Sequence, residues 1–401
     1  MPNGLDIAIA GAGPAGLAAA LSLHRDGHRV SIFERFETAR PIGSGLILQP
    51  TGQAVLNELG LWDAIKALGQ PLDRLIGTDA KSGRTVLDMR YAALKGLGRG
   101  LGVHRAALFN VLHAAVRTSG IALATGATVT GADGGYLLLD GRREGPFDLV
   151  VDALGANSPL RPLLHEPGPT RSLEFGAIWG TVPWIDQGFD AAALTQRYLG
   201  ASVMIGVLPI GRQAAGGPTL ASFFWSLKWT DYQALLDGGY PAWCERVLSL
   251  WPETAPHLEA LADFGALSLA RYSHHTAATP FGERLVAVGD AAHSSSPQLG
   301  QGANMALLDA RALTLALRMA DTGAALETYR WLRRGHVRLY QALSLTLTPF
   351  YQSESRALPI LRDILVPIAV TVPPLPQFLA ALVAGRLLDP FKRLRLEPVR
   401  L

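Results

Sequence analysis

The sequence predicts an α/β protein: a Rossmann-like domain, a second domain built on a mixed or antiparallel sheet, and a C-terminal helical segment. Three observations carry this reading. Residues 5–34 read as strand, glycine-rich turn, helix, strand. From about Arg171 the texture changes to strands rich in aromatic and β-branched residues. Arg284–Val288 then returns to the buried-strand pattern ahead of a long helix.

A chain of 401 residues exceeds one ordinary core. The texture assigns residues 1–70, 97–165 and 276–330 to the first domain, 71–96 and 166–275 to the second, and 331–401 to the helical segment. With 49% hydrophobic and 17% charged residues, the composition excludes intrinsic disorder. The net charge is +3 and no basic stripe carries interleaved aromatics, so nucleic-acid binding has no support. Cys244 is the single cysteine, which excludes an intrachain disulfide and a Cys-rich metal site. No basic and apolar leader precedes the first strand, so a reducing, cytoplasmic setting is expected. The state expected is a monomer or a homodimer.

The elements follow in order. Leu5–Ala10 is an apolar run, as in a parallel strand buried on both faces. Leu17–Arg25 is a helix stopped by Gly27, and Arg29–Phe33 is the second strand, ending in Glu34. Pro41–Pro50 reads as a Gly/Pro loop and Thr51–Leu68 as helix. Leu72–Met89 reads as a hairpin turned at Lys81-Ser82-Gly83. Arg105–Arg117 has apolar spacings of three and four, an amphipathic helix. Short strands follow at 121–124 and 127–130, and Phe147–Ala153 is another buried strand. Strand-like runs at 173–182, 201–208, 219–227 and 267–273 build the second domain, with helices at 229–236 and 240–250. A long helix runs from about Ala303 to Met319. Ile364–Gly385 is 22 residues without a charge, long enough to cross a bilayer, but it contains Pro367, Pro373, Pro374 and Pro376. Short helical pieces covering an apolar surface are expected, with membrane contact peripheral at most.

Two motifs carry chemistry. In the first, Gly11 makes a tight turn, Gly13 lets backbone approach a pyrophosphate beside Ala15, and Gly16 lets helix and strand pack closely. The helix N-terminus favours phosphate charge, and Glu34 is placed to accept from ribose hydroxyls. The second motif is Gly289-Asp290-Ala291-Ala292-His293 followed by Pro297, Gly300, Gly302, Ala303 and Asn304. Asp290 stands at the carboxyl end of a strand, where ligands of parallel sheets bind, and the amides opening the helix at Gly302 form a positive end suited to a reduced flavin ring.

At these residues the chain resembles the FAD-dependent aromatic hydroxylases, the group A flavoprotein monooxygenases with the p-hydroxybenzoate hydroxylase fold. The resemblance covers roughly residues 5–320 and includes Arg105 at the start of its helix. It implies bound FAD, NADH or NADPH as electron donor, and O2 as co-substrate. It further implies that Arg105 touches the flavin side, Arg35 the ribose or pyrophosphate, Val129 the adenine, and Gly43–Ile47, with Gly45 and Ile47, the isoalloxazine. One departure stands out. The family's Asp-Gly pair is replaced by Leu154-Gly155, ahead of Ser158 and Arg161. Asp152, two residues earlier on a strand, faces the same side and is expected to substitute in part. Efficient use of a pyridine nucleotide is thereby put in question.

For substrate, Trp179, Tyr198, Phe223 and Trp225 are the candidate walls of an aromatic pocket, and His274, His275 and Tyr272 the candidate acid/base groups. The reading is a monooxygenase that hydroxylates an activated, rather apolar aromatic or related ring through a flavin C4a-hydroperoxide. The alternatives are a dehydrogenase or oxidase of the same fold without oxygen insertion, or a flavin-binding protein without turnover.

Overall fold

The computed structural model describes residues 4–38 and 43–399. The first domain is built on a six-stranded sheet. Its order is Phe281–Gly282, Leu285–Ala287, Leu149–Asp152, Asp6–Ala10, Arg29–Phe33, Ala122–Ala124, and only the Phe281 edge is antiparallel. Ile9 lies opposite both Ile32 and Val151 in register. Burial on both faces explains why these strands read as continuous apolar runs rather than alternating ones.

Helices Pro14–Arg25 and Gly302–Met319 share one core with one face of that sheet. On the other face a three-stranded meander, Val129–Asp133, Tyr136–Leu139 and Arg142–Glu144, closes a smaller core around Phe33, Phe147 and Leu160. Its last two strands are absent from the sequence reading, because short strands flanked by Gly and Asp leave little periodicity to detect.

The second domain is a seven-stranded sheet. Its order is Ser268–Ala270, Phe175–Pro183, Leu220–Lys228, Val203–Gly211, Ala193–Leu199, Arg74–Asp79, Thr85–Arg90. All pairings are antiparallel except Ala193–Leu199 with Arg74–Asp79, so the sheet is mixed. The hairpin turns where expected: Asp79 Oδ1 accepts from the amides of Lys81 and Ser82, and Gly83 has φ +68°.

Alternation divides this sheet sharply. Ile178, Ile205, Val207, Phe223, Trp225 and their neighbours face outward, under the helices that carry Trp243, Val247 and Leu258. Met204, Leu208, Ile210, Phe224 and partly buried Trp179 face inward, toward Ile47.

Three sequence expectations shift. The segment 51–68 is two helices, Pro50–Glu58 and Trp62–Leu68, parted at Gly60, whose φ of +65° suits a residue without Cβ. Pro41–Pro50 is not all loop: Pro41 and Ile42 lie outside the described residues, and Gly45–Leu48 is a strand paired antiparallel with Gly100–His104. The C-terminal helices begin earlier than residue 331, since one helix runs Thr322–Leu347 from an N-cap in which Asp321 accepts from Ala324 N. Ala357–Thr371, which tolerates Pro367 inside it, and Leu375–Val383 follow, bent by 101°. Among the described residues no single helix is long and apolar enough to cross a membrane.

Candidate functional site

A cavity of about 570 Å³ opens at the carboxyl ends of the parallel strands. Of the residues expected at a cofactor, Gly11, Gly13, Ala15, Glu34, Arg35, Arg105, Val129, Asp290, Gly302 and Ala303 line it. The backbone explains the glycines. Gly11 has φ +101°, and a Cβ there would meet the Ala153 carbonyl oxygen at 2.6 Å. A Cβ on Gly16 would lie 2.0 Å from the Gly11 oxygen, so this glycine sets the helix-to-strand approach from beneath the cavity. Gly13 has no atom near its would-be Cβ: the space beside it is open.

Two helices aim their first turns into this cavity. Neither Pro14–Arg25 nor Gly302–Met319 has a side-chain N-cap, so their leading amides are left for a ligand. At Gly289, φ +61°, a Cβ would stand 3.2 Å from the Cβ atoms of both Ala15 and Ala306, so the glycine lets the two helices converge.

The charged residues are arranged around these ends. Glu34 Oε2 accepts from Ala12 N at 2.8 Å and Oε1 from Phe36 N at 3.2 Å, which ties the glycine turn to the end of the second strand and leaves lone pairs over. Arg105 N donates to Ser44 O at 2.8 Å, and its side chain crosses above Gly43. Asp290 is open to the cavity but crowded by protein. That crowding raises its carboxyl above the usual range, against the pull of His293, Arg105 and Arg161.

A cavity with uncapped amides at two helix N-termini, a free cradle at Gly13 and a carboxylate at Glu34 is the donor set a flavin dinucleotide requires, so the residues present fit FAD. Among the described residues no group of three or more His, Cys, Asp or Glu could hold a metal ion.

Other expected positions do not line this cavity. Asn304 is buried; its Oδ1 accepts from Gln49 N at 2.8 Å, and its Nδ2 donates to Ile47 O at 3.1 Å. It pins the strand Gly45–Leu48 to the helix start. Gly45 packs against Ile210 and Ser222, so it faces the second sheet. Ile47 is in the core between the domains. Pro297 opens a 3-10 turn that Gly300 ends in the left-handed region.

The expected stand-in for the missing aspartate is spent elsewhere. Asp152 is fully buried; Oδ1 accepts from Leu154 N at 3.0 Å and Oδ2 from Ser158 Oγ at 2.6 Å. It closes the turn 152–158 from within, while Leu154 lines the cavity with Gly155, Ala156 and Asn157. Strand geometry ends at Asp152, so the same-face argument does not extend to 154.

The substrate candidates divide by strand parity. Trp179 pairs directly with Phe224, ring centroids 4.4 Å apart, on the inner face. Phe223 and Trp225 point the other way and pack edge-on against Trp243, so they do not share the inner face with Trp179; Trp225 instead lines a separate cavity of about 520 Å³ with Trp243 and Arg246. Tyr198 is on the inner side but buried against Tyr351 and Arg362, away from the cavity.

Neither histidine lines the cofactor cavity, and each is held by protein partners. His274 Nδ1 meets Gln341 Oε1 at 3.0 Å, and His275 Nδ1 lies 3.3 Å from Thr170 Oγ1; both are buried, and burial lowers both pKa values, that of His275 to about 4. Tyr272 remains: its hydroxyl accepts from Trp179 Nε1 at 2.9 Å, and burial pushes it up to about 12.

A buried network supports the site and was missed. Asp309 accepts from Gly289 N at 2.8 Å, His293 Nε2 at 2.5 Å and Arg333 Nε at 2.6 Å. Its signal was present: an aspartate amid the apolar run of a long helix demands a buried partner. Phe224 and Met204 join Trp179 on the inner face only through strand pairing, a register the sequence alone does not carry.

The family model described as "FAD binding domain" matches residues 4–339. Aurachin C monooxygenase/isomerase of Stigmatella aurantiaca is 29% identical over 348 residues, 83% of this chain and 86% of that protein. FAD-dependent urate hydroxylase of Klebsiella pneumoniae is 28% identical over 349 residues, 82% and 86% of the two chains. Among solved structures, the tetrameric form of 2-methyl-3-hydroxypyridine-5-carboxylic acid oxygenase superposes with TM-score 0.80 at 23% identity, over 97% and 98% of the two chains. Klebsiella pneumoniae HpxO complexed with FAD and uric acid gives 0.79 at 22%, over 96% and 98%. The mixed α/β fold, the donor set and the matched residues agree: the chain belongs to the FAD-dependent aromatic hydroxylases, the group A flavoprotein monooxygenases.

Proposed function

We propose that this protein hydroxylates an activated, largely apolar aromatic or related ring, with NADH or NADPH as reductant and O2 as oxidant. One hydroxyl enters the ring, one oxygen atom leaves as water, and the nicotinamide gives up a hydride. The observation that carries the reading is the position of the strand Gly45–Leu48. Leu46 lines the cofactor cavity, while Gly45 and Ile47 pack on the inner face of the second sheet. A ring held on that face therefore stands one strand away from the cofactor.

Glu34, Arg35, Arg105, Val129, Asp290 and the amides at Gly13 and Gly302 would hold FAD. When bound and reduced, FAD supplies the electrophilic oxygen that no side chain can provide. The protein's own part is positioning and exclusion. The amides opening Gly302–Met319 stabilise negative charge on whatever they face. Trp179, Phe224, Met204 and Leu208 present an apolar wall that keeps water from the reacting centre. Tyr272, neutral across the physiological range, donates its hydroxyl proton to orient a polar substituent rather than acting as a base. The substrate must therefore arrive already activated by its own hydroxyl or amino group.

Leu154, which cannot accept a hydrogen bond, and Asp152, whose oxygens are engaged, leave the turn without a free carboxylate for a nicotinamide ribose. Weak binding of the pyridine nucleotide follows. The test is consumption of NADH and NADPH under isotopically labelled O2 across a panel of aromatic amines and phenols. Labelled hydroxyl in the product supports the reading. Product without label leaves a dehydrogenase or oxidase of the same fold, and no stimulated consumption leaves a flavin-binding protein.

A further inference from the structure

We infer that the bent helix pair 357–383 is a docking surface for an anionic phospholipid bilayer. The outer face of Ala357–Thr371 is reversed from what water requires. Ile360, Ile364 and Ile368 lie one turn apart and are 63%, 60% and 47% exposed, with Leu361 and Leu365 beside them at 45% and 47%. An exposed helix normally turns its apolar stripe inward. Here the inward residues are Pro359 and Arg362, the latter donating from Nη1 to the carbonyls of Gly200 and Phe350 at 3.0 and 3.1 Å. Past the 101° bend, Phe378 on Leu375–Val383 is 46% exposed.

Neither arm, at 15 and 9 residues, is long enough to cross a bilayer alone, which takes about 20 residues in line. The two arms suit helices lying in the plane of an interface. The choice between a lipid surface and a second copy of this chain rests on charge. Residues 357–401 hold six Lys/Arg against three Asp/Glu, while residues 1–356 hold 30 of each sign. The whole net charge of +3 therefore sits in the segment that bears the apolar face. A two-fold contact sets a patch against itself and would bring these like charges together. An anionic surface complements them. No charge interrupts 364–385, and exposed Lys392 and Arg395 follow it. Beside them, exposed Trp331 lies under the Arg393 guanidinium at 4.4 Å, an aromatic and cationic pair of the kind enriched at membrane interfaces.

The surface is fastened to the site. The Val383 carbonyl accepts from Gln301 Nε2 at 2.5 Å, just before the helix start at Gly302, and the Gly385 carbonyl meets His336 Nε2 at 2.9 Å. Ala380 and Ala384 pack into the same cluster as Phe224 and Leu208.

Flotation of the full-length, flavin-loaded protein with phosphatidylcholine vesicles, with and without phosphatidylglycerol, tests this. The wild type is expected to float with the phosphatidylglycerol vesicles and to bind less as salt rises. The double variant Ile360→Glu/Ile364→Glu is expected to bind at least about tenfold more weakly. Lys392→Glu/Arg395→Glu should lose the preference for phosphatidylglycerol. All three should keep the same flavin absorbance and circular dichroism, since the changed residues are exposed. Failure of the wild type to float, or equal flotation of the Ile360→Glu/Ile364→Glu variant, overturns the proposal. So does a wild-type dimer in light scattering that this variant turns into monomer, because the face then belongs to a second copy.

Discussion

Trp179 and Phe224 face each other across neighbouring strands, ring centroids 4.4 Å apart, while Phe223, one residue away, points to the opposite side of the sheet. One step along a strand separates a pocket wall from a core residue. Phe224→Ala and Trp179→Ala should leave flavin reduction intact and raise the share of reducing equivalents released as H2O2. Phe223→Ala should instead cost about 3–5 kcal/mol of stability with unchanged coupling in the folded fraction. Peroxide assays beside thermal melts check the contrast, and equal uncoupling in all three variants would refute it.

The two glycines of the first turn should fail differently. Gly13 has extended backbone and open space at its Cβ position, so Gly13→Val fills the cradle without strain. The expected result is a normally folded protein that retains FAD at least about tenfold less well, the loss of roughly one charge-assisted hydrogen bond. Gly11→Val meets the Ala153 carbonyl at a φ of +101° and should lower the melting temperature of the flavin-free protein. Flavin titration and circular dichroism separate the two effects.

Asp152 titrates unusually high. Burial raises its carboxyl from 3.8 to about 6, against the hydrogen bonds from Ser158 and Leu154. Between these values the folded state holds more protons than the unfolded one, so this group's contribution to stability falls as pH rises from 4 to 6. The loss amounts to up to about 3 kcal/mol. Asp152→Asn should therefore match the wild type near pH 4 and exceed it at pH 7. Parallel melting curves across that range would show Asp152 to be uncharged in its effect.

Asp309 behaves oppositely. Burial pushes its carboxyl up, but His293 and Arg333 pull it down to about 2. A folded value below the unfolded 3.8 means stability present above about pH 4 and lost as pH falls toward 2. Asp309→Ala leaves Arg333 buried and unpaired, and should cost about 3–5 kcal/mol. Denaturant unfolding at neutral pH measures this; a loss under 1 kcal/mol, roughly that of an exposed pair, would mean the network contributes little.

The first domain and most of its cofactor contacts were legible in the sequence, and the reason is local. Gly11, Gly13 and Gly16 act through the backbone of one turn, Glu34 ends the next strand, and Asp290 precedes its own helix, so spacing along the chain stands in for spacing in space. The flavin chemistry followed from that spacing and the resemblance it supports. What the tertiary structure decided is which way side chains face and what they meet. Phe223 and Phe224 are equivalent as composition, and only the pairing of their strand with Phe175–Pro183 assigns one to the core and the other to the pocket side. His274 and His275 read as acid/base groups until Gln341 and Thr170, 67 and 105 residues away, meet the Nδ1 atom of each in a buried setting. Asp152 reads as a free carboxylate until the chain curls back and Ser158 closes on it. Such contacts depend on register and on long-range packing, for which the order of residues holds no direct signal.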